Sequence, residues 1–321
     1  MSNKAFEKAI DSMDEKFRVS TRAAESAEKT GYSNYSYWAS TWQMFKKNRA
    51  AMFCLIMLAI LVVFTFIQPL LPNQKSPTVC YIDETTGKQA WNLPPSKDYW
   101  FGTNSIGQDL WARIWSGTRT SLTIGLTVGL LDMLIGLIVG AVWGYVRKAD
   151  TLITEIYNVF NNVPSSIILI LASYILRPSL STIIFAMCLT GWLPVARFIR
   201  NQIVIIRDRE FNLASRCLGT PTFRIITKNL LPQLVSVIVI RIALSISTAI
   251  GHEVFLTYIG LGLPLSMPSL GNMINEGRMV MMSPTLRYQL IFPSIILSLV
   301  TIAFYVMGNA FADAADPRTH I

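Results

Sequence analysis

The stretch SLTIGLTVGLLDMLIGLIVGAVWGY, Ser121 to Tyr145, runs 25 residues with a single ionisable side chain, Asp132. A bilayer core is crossed by about 20 apolar residues of helix, so the stretch reads as a membrane span. Its glycines, Gly125, Gly129, Gly136, Gly140 and Gly144, repeat the G-x-x-x-G spacing that lets a second helix approach the backbone closely. Tight packing within a bundle is the reading preferred over direct contact with a substrate. Working outward, further stretches of the same kind lie at 50–71, 156–176, 180–196, 234–257 and 290–312. The expected fold is an all-α integral membrane protein of six transmembrane helices. The 156–176 stretch is interrupted by Asn158, Asn161, Asn162 and Pro164, and so is expected to face protein rather than lipid.

Composition agrees. Of 321 residues 52% are hydrophobic and 15% charged, and mean hydropathy is +0.42. A soluble domain carries about 25% charged residues. The net charge of +9 sits in short basic blocks between apolar runs, without interleaved aromatics, which points to topology rather than nucleic acid. With a cytoplasmic N-terminus, the inner segments hold 19 Lys and Arg and the outer segments 8. Both termini are therefore expected in the cytoplasm of a multi-pass protein. The organisation that follows is a cytoplasmic segment 1–49, a first span 50–71 read as an uncleaved anchor, an external loop 72–120, a five-helix core 121–312 and a cytoplasmic tail 313–321. Cys54, Cys80, Cys188 and Cys217 show no paired spacing, and neither a disulfide framework nor a metal site is expected.

Within the core, the cytoplasmic interval 197–232 contains EFNLASRCLGTPTFRIITKNLLP, Glu210 to Pro232. A short helix over 209–218 would gather Phe211, Ala214, Cys217 and Leu218 on one face. Gly219 and Pro221 then suit a sharp corner between two helices, and Pro232 marks the expected turn into the fifth span. The apolar face needs cover, either from the chain's own spans or from another subunit.

The order of Glu210, Phe211, Ala214, Gly219, Leu231 and Pro232 resembles the cytoplasmic signature loop of binding-protein-dependent ABC importer permeases. There Glu-Ala-Ala is followed by Gly and later by Leu-Pro. The family's Glu-Ala-Ala falls here on Leu213, Ala214 and Ser215, so its acidic residue is absent. WFGTNSIGQDLWARIWSGTRTSL (Trp100 to Leu122), TWQMFKKNRAAMFCLIML, EVFLTYIGLGLPLSMPSLGNMINEGR and GNAFADAADPR are similar to segments of the C-type subunit of oligopeptide and dipeptide permeases. Asn104 and Gln108 stand where that subunit has Asp and Arg. The resemblance runs from Thr41 to Arg318.

It implies a bacterial cytoplasmic-membrane subunit forming half of a translocation path. The implied partners are a second homologous permease subunit, two ATP-binding cassette ATPases that use ATP and Mg, and an external substrate-binding protein. The loop with Glu210, Phe211, Ala214, Ser215, Gly219, Leu231 and Pro232 would then couple to an ATPase. The chain itself has no G-x-x-x-x-G-K-[ST] to cradle a nucleotide, and HEVFL at 252–256 lacks the second histidine of a zinc motif. No cofactor and no catalysis of its own are expected. Two rivals from other classes are a self-sufficient proton-coupled transporter or channel relaying protons through Asp132, His252 and Glu253, and a membrane-embedded enzyme. No internal repeat supports the first and no nucleophile–base spacing supports the second.

Asp132, Arg241, His252 and Glu253 are the ionisable groups at membrane depth, each of them either structurally paired or on the pathway. At 1.5 Å per residue Asp132 and Arg241 lie roughly 20 and 14 Å from the inner ends of their spans. An interhelical ion pair between them is the expectation.

Overall fold

The computed structural model describes residues 37–82, 87–176 and 179–315. Much of the expected cytoplasmic segment 1–49 and the end of the tail 313–321 lie outside the described residues. A short N-terminal unit ends at Gln43 and the main unit runs from Met44 onward. Among the described residues the structure is helical, with two isolated antiparallel bridges, Ile82 to Gln89 and Thr103 to Asp109.

The helices are α1 (Tyr37–Lys47), α2 (Arg49–Ile67), α3 (Leu110–Tyr145), α4 (Arg147–Asn161), α5 (Ser165–Ile175) and α6 (Leu180–Ile206). They are followed by α7 (Glu210–Cys217), α8 (Val235–Tyr258), α9 (Leu270–Val280) and α10 (Tyr288–Ala314). Five helical stretches are long and apolar enough to cross a membrane, and the pair α4 and α5, bent by 75°, makes a sixth if taken as one broken span. The bend falls at Asn162 to Pro164, where proline lacks an N–H and turns its predecessor away from helical geometry. Phe53, Ile56, Ile60 and Val63 on α2, and Leu130, Leu134 and Ile138 on α3, are exposed. So much outward apolar surface is at home in hydrocarbon, not in water.

Two sequence-based boundaries shift. Helix α3 starts at Leu110, capped by the Asp109 carboxylate accepting from the Ala112 amide at 2.9 Å, so the segment expected to be an external loop ends before residue 120. The helix is amphipathic rather than uniformly apolar in its first turns, and hydropathy alone starts it too late. At the other end of the core, the helical path into the fifth span starts at Thr222 and passes through Pro232 without breaking. Its winding changes instead: a π stretch over Ile225–Leu230 and a 3₁₀ turn over Leu231–Leu234 precede α8. Pro232 offers no N–H to the Lys228 carbonyl, and altered winding absorbs the mismatch that would otherwise kink the helix.

The glycine stripe of α3 is the packing axis. A methyl group at Gly125 or Gly129 would press on Ile250 or Ile246 of α8, and one at Gly136, Gly140 or Gly144 would meet Val195, the Ala196 carbonyl or Ile203 of α6. Backbone approach this close leaves no room for a side chain, and dispersion over the buried apolar surface holds the pair together. Met133, Ala141, Val195, Ile199 and Ile203 continue the seam into a core shared with Ile225 and Leu230.

Outside this axis, the segment after α2 is fastened down. The buried Arg113 guanidinium binds Glu276 of α9 at 2.8 Å and also Gln108, while Asn104 donates to the same carboxylate at 3.2 Å. Phe101 stacks on Phe292 of α10 with ring centres 4.2 Å apart. The Tyr288 hydroxyl is shared between the carbonyls of Leu93 and Thr103, at 2.8 Å from each.

The seam makes a directional prediction. Gly140→Leu should destabilise the protein by at least about 1–3 kcal/mol through overpacking. Gly251→Ala, whose added methyl would meet nothing within 4 Å, should be neutral. Thermal midpoints of the two variants in detergent check the contrast, and equal midpoints would remove the seam from its central place.

Candidate functional site

The loop after α6, expected on the cytoplasmic side, is built by local rules. Helix α7 ends where the Gly219 amide donates to the Arg216 carbonyl at 2.9 Å and the Thr220 amide to the Ser215 carbonyl at 3.1 Å. This pair of bonds requires a left-handed residue between them, and Gly219 has φ of 76°. The corner expected at Gly219 and Pro221 is present.

Which face of α7 is covered is the informative point. Asn212 is fully buried, donating to the Ile206 carbonyl at 2.8 Å and accepting from Asn229 at 3.3 Å. Asn229 also donates to the Ser215 hydroxyl at 3.1 Å. Arg216 donates to the Tyr145 hydroxyl at 3.1 Å and lies over its ring, while Arg207 donates to the Gly144 carbonyl at 2.8 Å. The polar side of the loop is thus bolted to the inner ends of α3 and α6. The apolar side is not: Phe211 and Leu213 are exposed, Phe223 is 78% exposed and Leu218 86%. Glu210 and Ala214 share this outer exposure, Ser215 is half-buried, and Leu231 and Pro232 stand in the 3₁₀ turn behind. Covering of the apolar face by the chain's own spans is therefore corrected by the structure.

The second cluster lies between α3, α5, α6 and α8. A cavity of about 160 Å³ is lined by Asp132, Thr190, Gly191, Pro194, Arg241 and His252, among others. Asp132 is buried, and its Oδ1 has no hydrogen-bond partner. The expected Asp132–Arg241 ion pair is absent, although both side chains line the same cavity. Arg241 instead lies over the Phe198 ring, 3.8 Å from its centre, and that aromatic face competes for the guanidinium. A long side chain can bridge a modest difference in depth between two helices, but its direction is set by rotamer and neighbours.

Glu253 is turned away from the cavity. It is fully buried, accepting from Ser269 at 2.7 Å and Ser121 at 3.2 Å, beside Thr257 and the N-terminus of α9. It ties α3, α8 and α9 together. Of the four membrane-depth groups, Asp132, Arg241 and His252 share a site and Glu253 serves packing. Sequence reading missed Gly191, Asn212 and Arg113. Arg113, a lone charge between the tryptophans of LWARIW, carried a legible signal; the other two had none.

Residues 133–321 match the family described as binding-protein-dependent transport system inner membrane component, and residues 36–95 match the N-terminal TM domain of oligopeptide transport permease C. The chain belongs to the binding-protein-dependent transport system inner membrane component family. It is 37% identical over 306 residues to the oligopeptide transport system permease protein AmiD of Streptococcus pneumoniae, covering 95% of this chain and 98% of that one. It is 38% identical over 306 residues to the dipeptide transport system permease protein DppC of Bacillus subtilis, covering 95% and 93%. A solved inward-facing structure of the MetNI methionine ABC transporter shares the fold, with a TM-score of 0.51 and 21% identity over 63% of this chain and 96% of that one.

The bolted polar side generates a test of the loop's attachment. Asn212→Ala removes one of the donors to the Ile206 carbonyl, which keeps the Arg209 amide, and one of the acceptors of Asn229, which keeps Ser215, at a cost of about 0.5–1.5 kcal/mol. Amide exchange over 207–220 should quicken while that of α3 is unchanged, and an unaltered loop would show that Asn212 does not anchor it.

Proposed function

We propose that this chain is the C-type permease subunit of an ATP-driven importer of oligopeptides or dipeptides. In this reading it crosses the bacterial cytoplasmic membrane six times, with α4 and α5 as one broken span and both termini inside. It pairs with a second homologous permease and receives peptide from an external binding protein. Two ATPase subunits bind ATP and Mg and drive the cycle, and this chain does no covalent chemistry.

The observation that carries the reading is the orientation of α7. A helix whose polar side is hydrogen-bonded to the spans and whose apolar side projects past the protein is a handle for another protein. Closure of the ATPases would push α7, and Arg216, Arg207 and Asn212 would pass the displacement to Tyr145, Gly144 and Ile206. Because α3 and α6 meet at glycine, with no compliant side chains between, they move as one body between outward-open and inward-open arrangements. The names and identities of the relatives support peptide as the cargo. The rival in which the chain relays protons alone finds little support, since Glu253 is enclosed by Ser121, Thr257 and Ser269 rather than connected to His252 across the cavity.

Coexpression with the ATPase subunits tests this. Cysteines at Leu218 or Phe211 should crosslink to the ATPase under mild oxidation, and Leu218→Asp should uncouple ATP use from uptake while the permease remains folded. Absence of crosslinks across a panel of ATPase positions, with full coupling in Leu218→Asp, would remove α7 as the contact.

A further inference from the structure

The cavity between α3, α6 and α8 contains a carboxylate set up without a protein counter-charge. Asp132 is 5% exposed with one oxygen unpartnered, at a depth where such an arrangement is costly. The surroundings preserve it. A methyl group at Gly191 would collide with the Asp132 carboxylate, so glycine at that position of α6 is what gives the side chain its niche. Pro194, one turn further on and also lining the cavity, withholds the N–H that would occupy the Thr190 carbonyl in a regular helix. Asp132 and Thr190 line the same cavity. On the same cavity, Arg241 is held by the Phe198 ring instead of closing onto Asp132. Acid and base both line this cavity without forming an ion pair.

We propose that this cavity is a way-station for a primary ammonium, the free N-terminus of a peptide in transit, with Asp132 and the Thr190 carbonyl as its acceptors and Arg241 facing the oxygens of the following peptide unit. The proposal rests on the peptide reading above. An ammonium has three donors; the Asp132 carboxylate contacts the Cys188 thiol but keeps Oδ1 open to one of them, and a carbonyl supplies a further acceptor. The N-terminus is the one positively charged feature common to peptides of any sequence. A site that reads it serves a carrier whose cargo varies in side chains, and Arg241 on the far side disfavours a bare cation that brings no oxygens of its own.

The test uses the assembled transporter in proteoliposomes, with both permeases, both ATPases and the binding protein. Uptake is compared for one peptide with a free N-terminus and the same sequence N-acetylated, each at a concentration that saturates the binding protein. The wild-type complex should turn over the free form at least about tenfold faster, the size of one charge-assisted hydrogen bond. Asp132→Asn should bring that ratio close to one. Gly191→Ala, which displaces the carboxylate without removing it, should lower the ratio similarly, and the double variant should go no lower than either single one. Because the readout is a ratio, partial loss of folded complex does not imitate it. A ratio kept in Asp132→Asn, whether overall uptake falls or not, overturns the ammonium site. A wild-type complex that hydrolyses ATP in response to its binding protein but carries neither peptide form overturns the peptide reading itself, a different result from a retained ratio.

Discussion

The close approach of α3 to α6 is the constraint on which the remaining structure depends. Gly136, Gly140 and Gly144 set the two backbones against each other with Val195, Ala196 and Ile203 as the opposing surface. In lipid, apolar surface gains nothing from leaving its surroundings, so helix association relies on contact distance and on the few polar groups that cross between helices. The seam supplies the first. Glu253, bound by Ser121 and Ser269, supplies the second toward the outer side. The inner end of the same seam carries the anchors of α7, Gly144 and Tyr145, and its middle carries Asp132 beside Gly191. One closely packed pair of helices thereby connects α7, the proposed handle, to the cavity.

In the proposed reading, that geometry carries motion from one end of a transport subunit to the other. Work done on an exposed apolar helix reaches the membrane interior only if the intervening contacts do not yield. Long flexible side chains at the α3–α6 contact would absorb the motion through rotamer changes, and glycine leaves none to do so. The segment between α2 and α3 is held by a different device, the buried Arg113 with Glu276 and Gln108, which joins α3 to α9. A buried pair of this kind is weak evidence for net stability but strongly specifies geometry, since separating its members strands a charge.

Much of this was legible in the chain. Apolar runs located the spans, the glycine spacing identified the packing face of α3, and Gly219 with Pro221 marked the corner, because each depends on local chemistry. The interruption at Asn158, Asn161, Asn162 and Pro164 was visible for the same reason, but the expectation that this segment faces protein is not met in this chain, where all four are exposed. What failed depended on direction in three dimensions. Asp132 and Arg241 stand at depths an arginine side chain can bridge, yet Phe198 takes the guanidinium; Glu253 and His252 are neighbours in sequence, yet successive residues on a helix face different ways. The start of α3 at Leu110 was missed because a capping Asp109 and a buried ionised Arg113 are polar signals inside a helix that hydropathy discounts.

The central claim is that contact at the exposed face of α7 is transmitted along the seam to the cavity. Its most direct test places a single cysteine at Thr190, on the cavity wall, in an assembled transporter lacking other cysteines, and follows its alkylation rate with and without a non-hydrolysable ATP analogue and Mg. The account predicts that nucleotide changes the rate when α7 is intact and leaves it unchanged when the outer face of α7 carries Phe211→Asp, although the ATPases still bind nucleotide. A nucleotide-dependent change that persists in full with the altered face, or a rate that never responds to nucleotide in the intact complex, would contradict it.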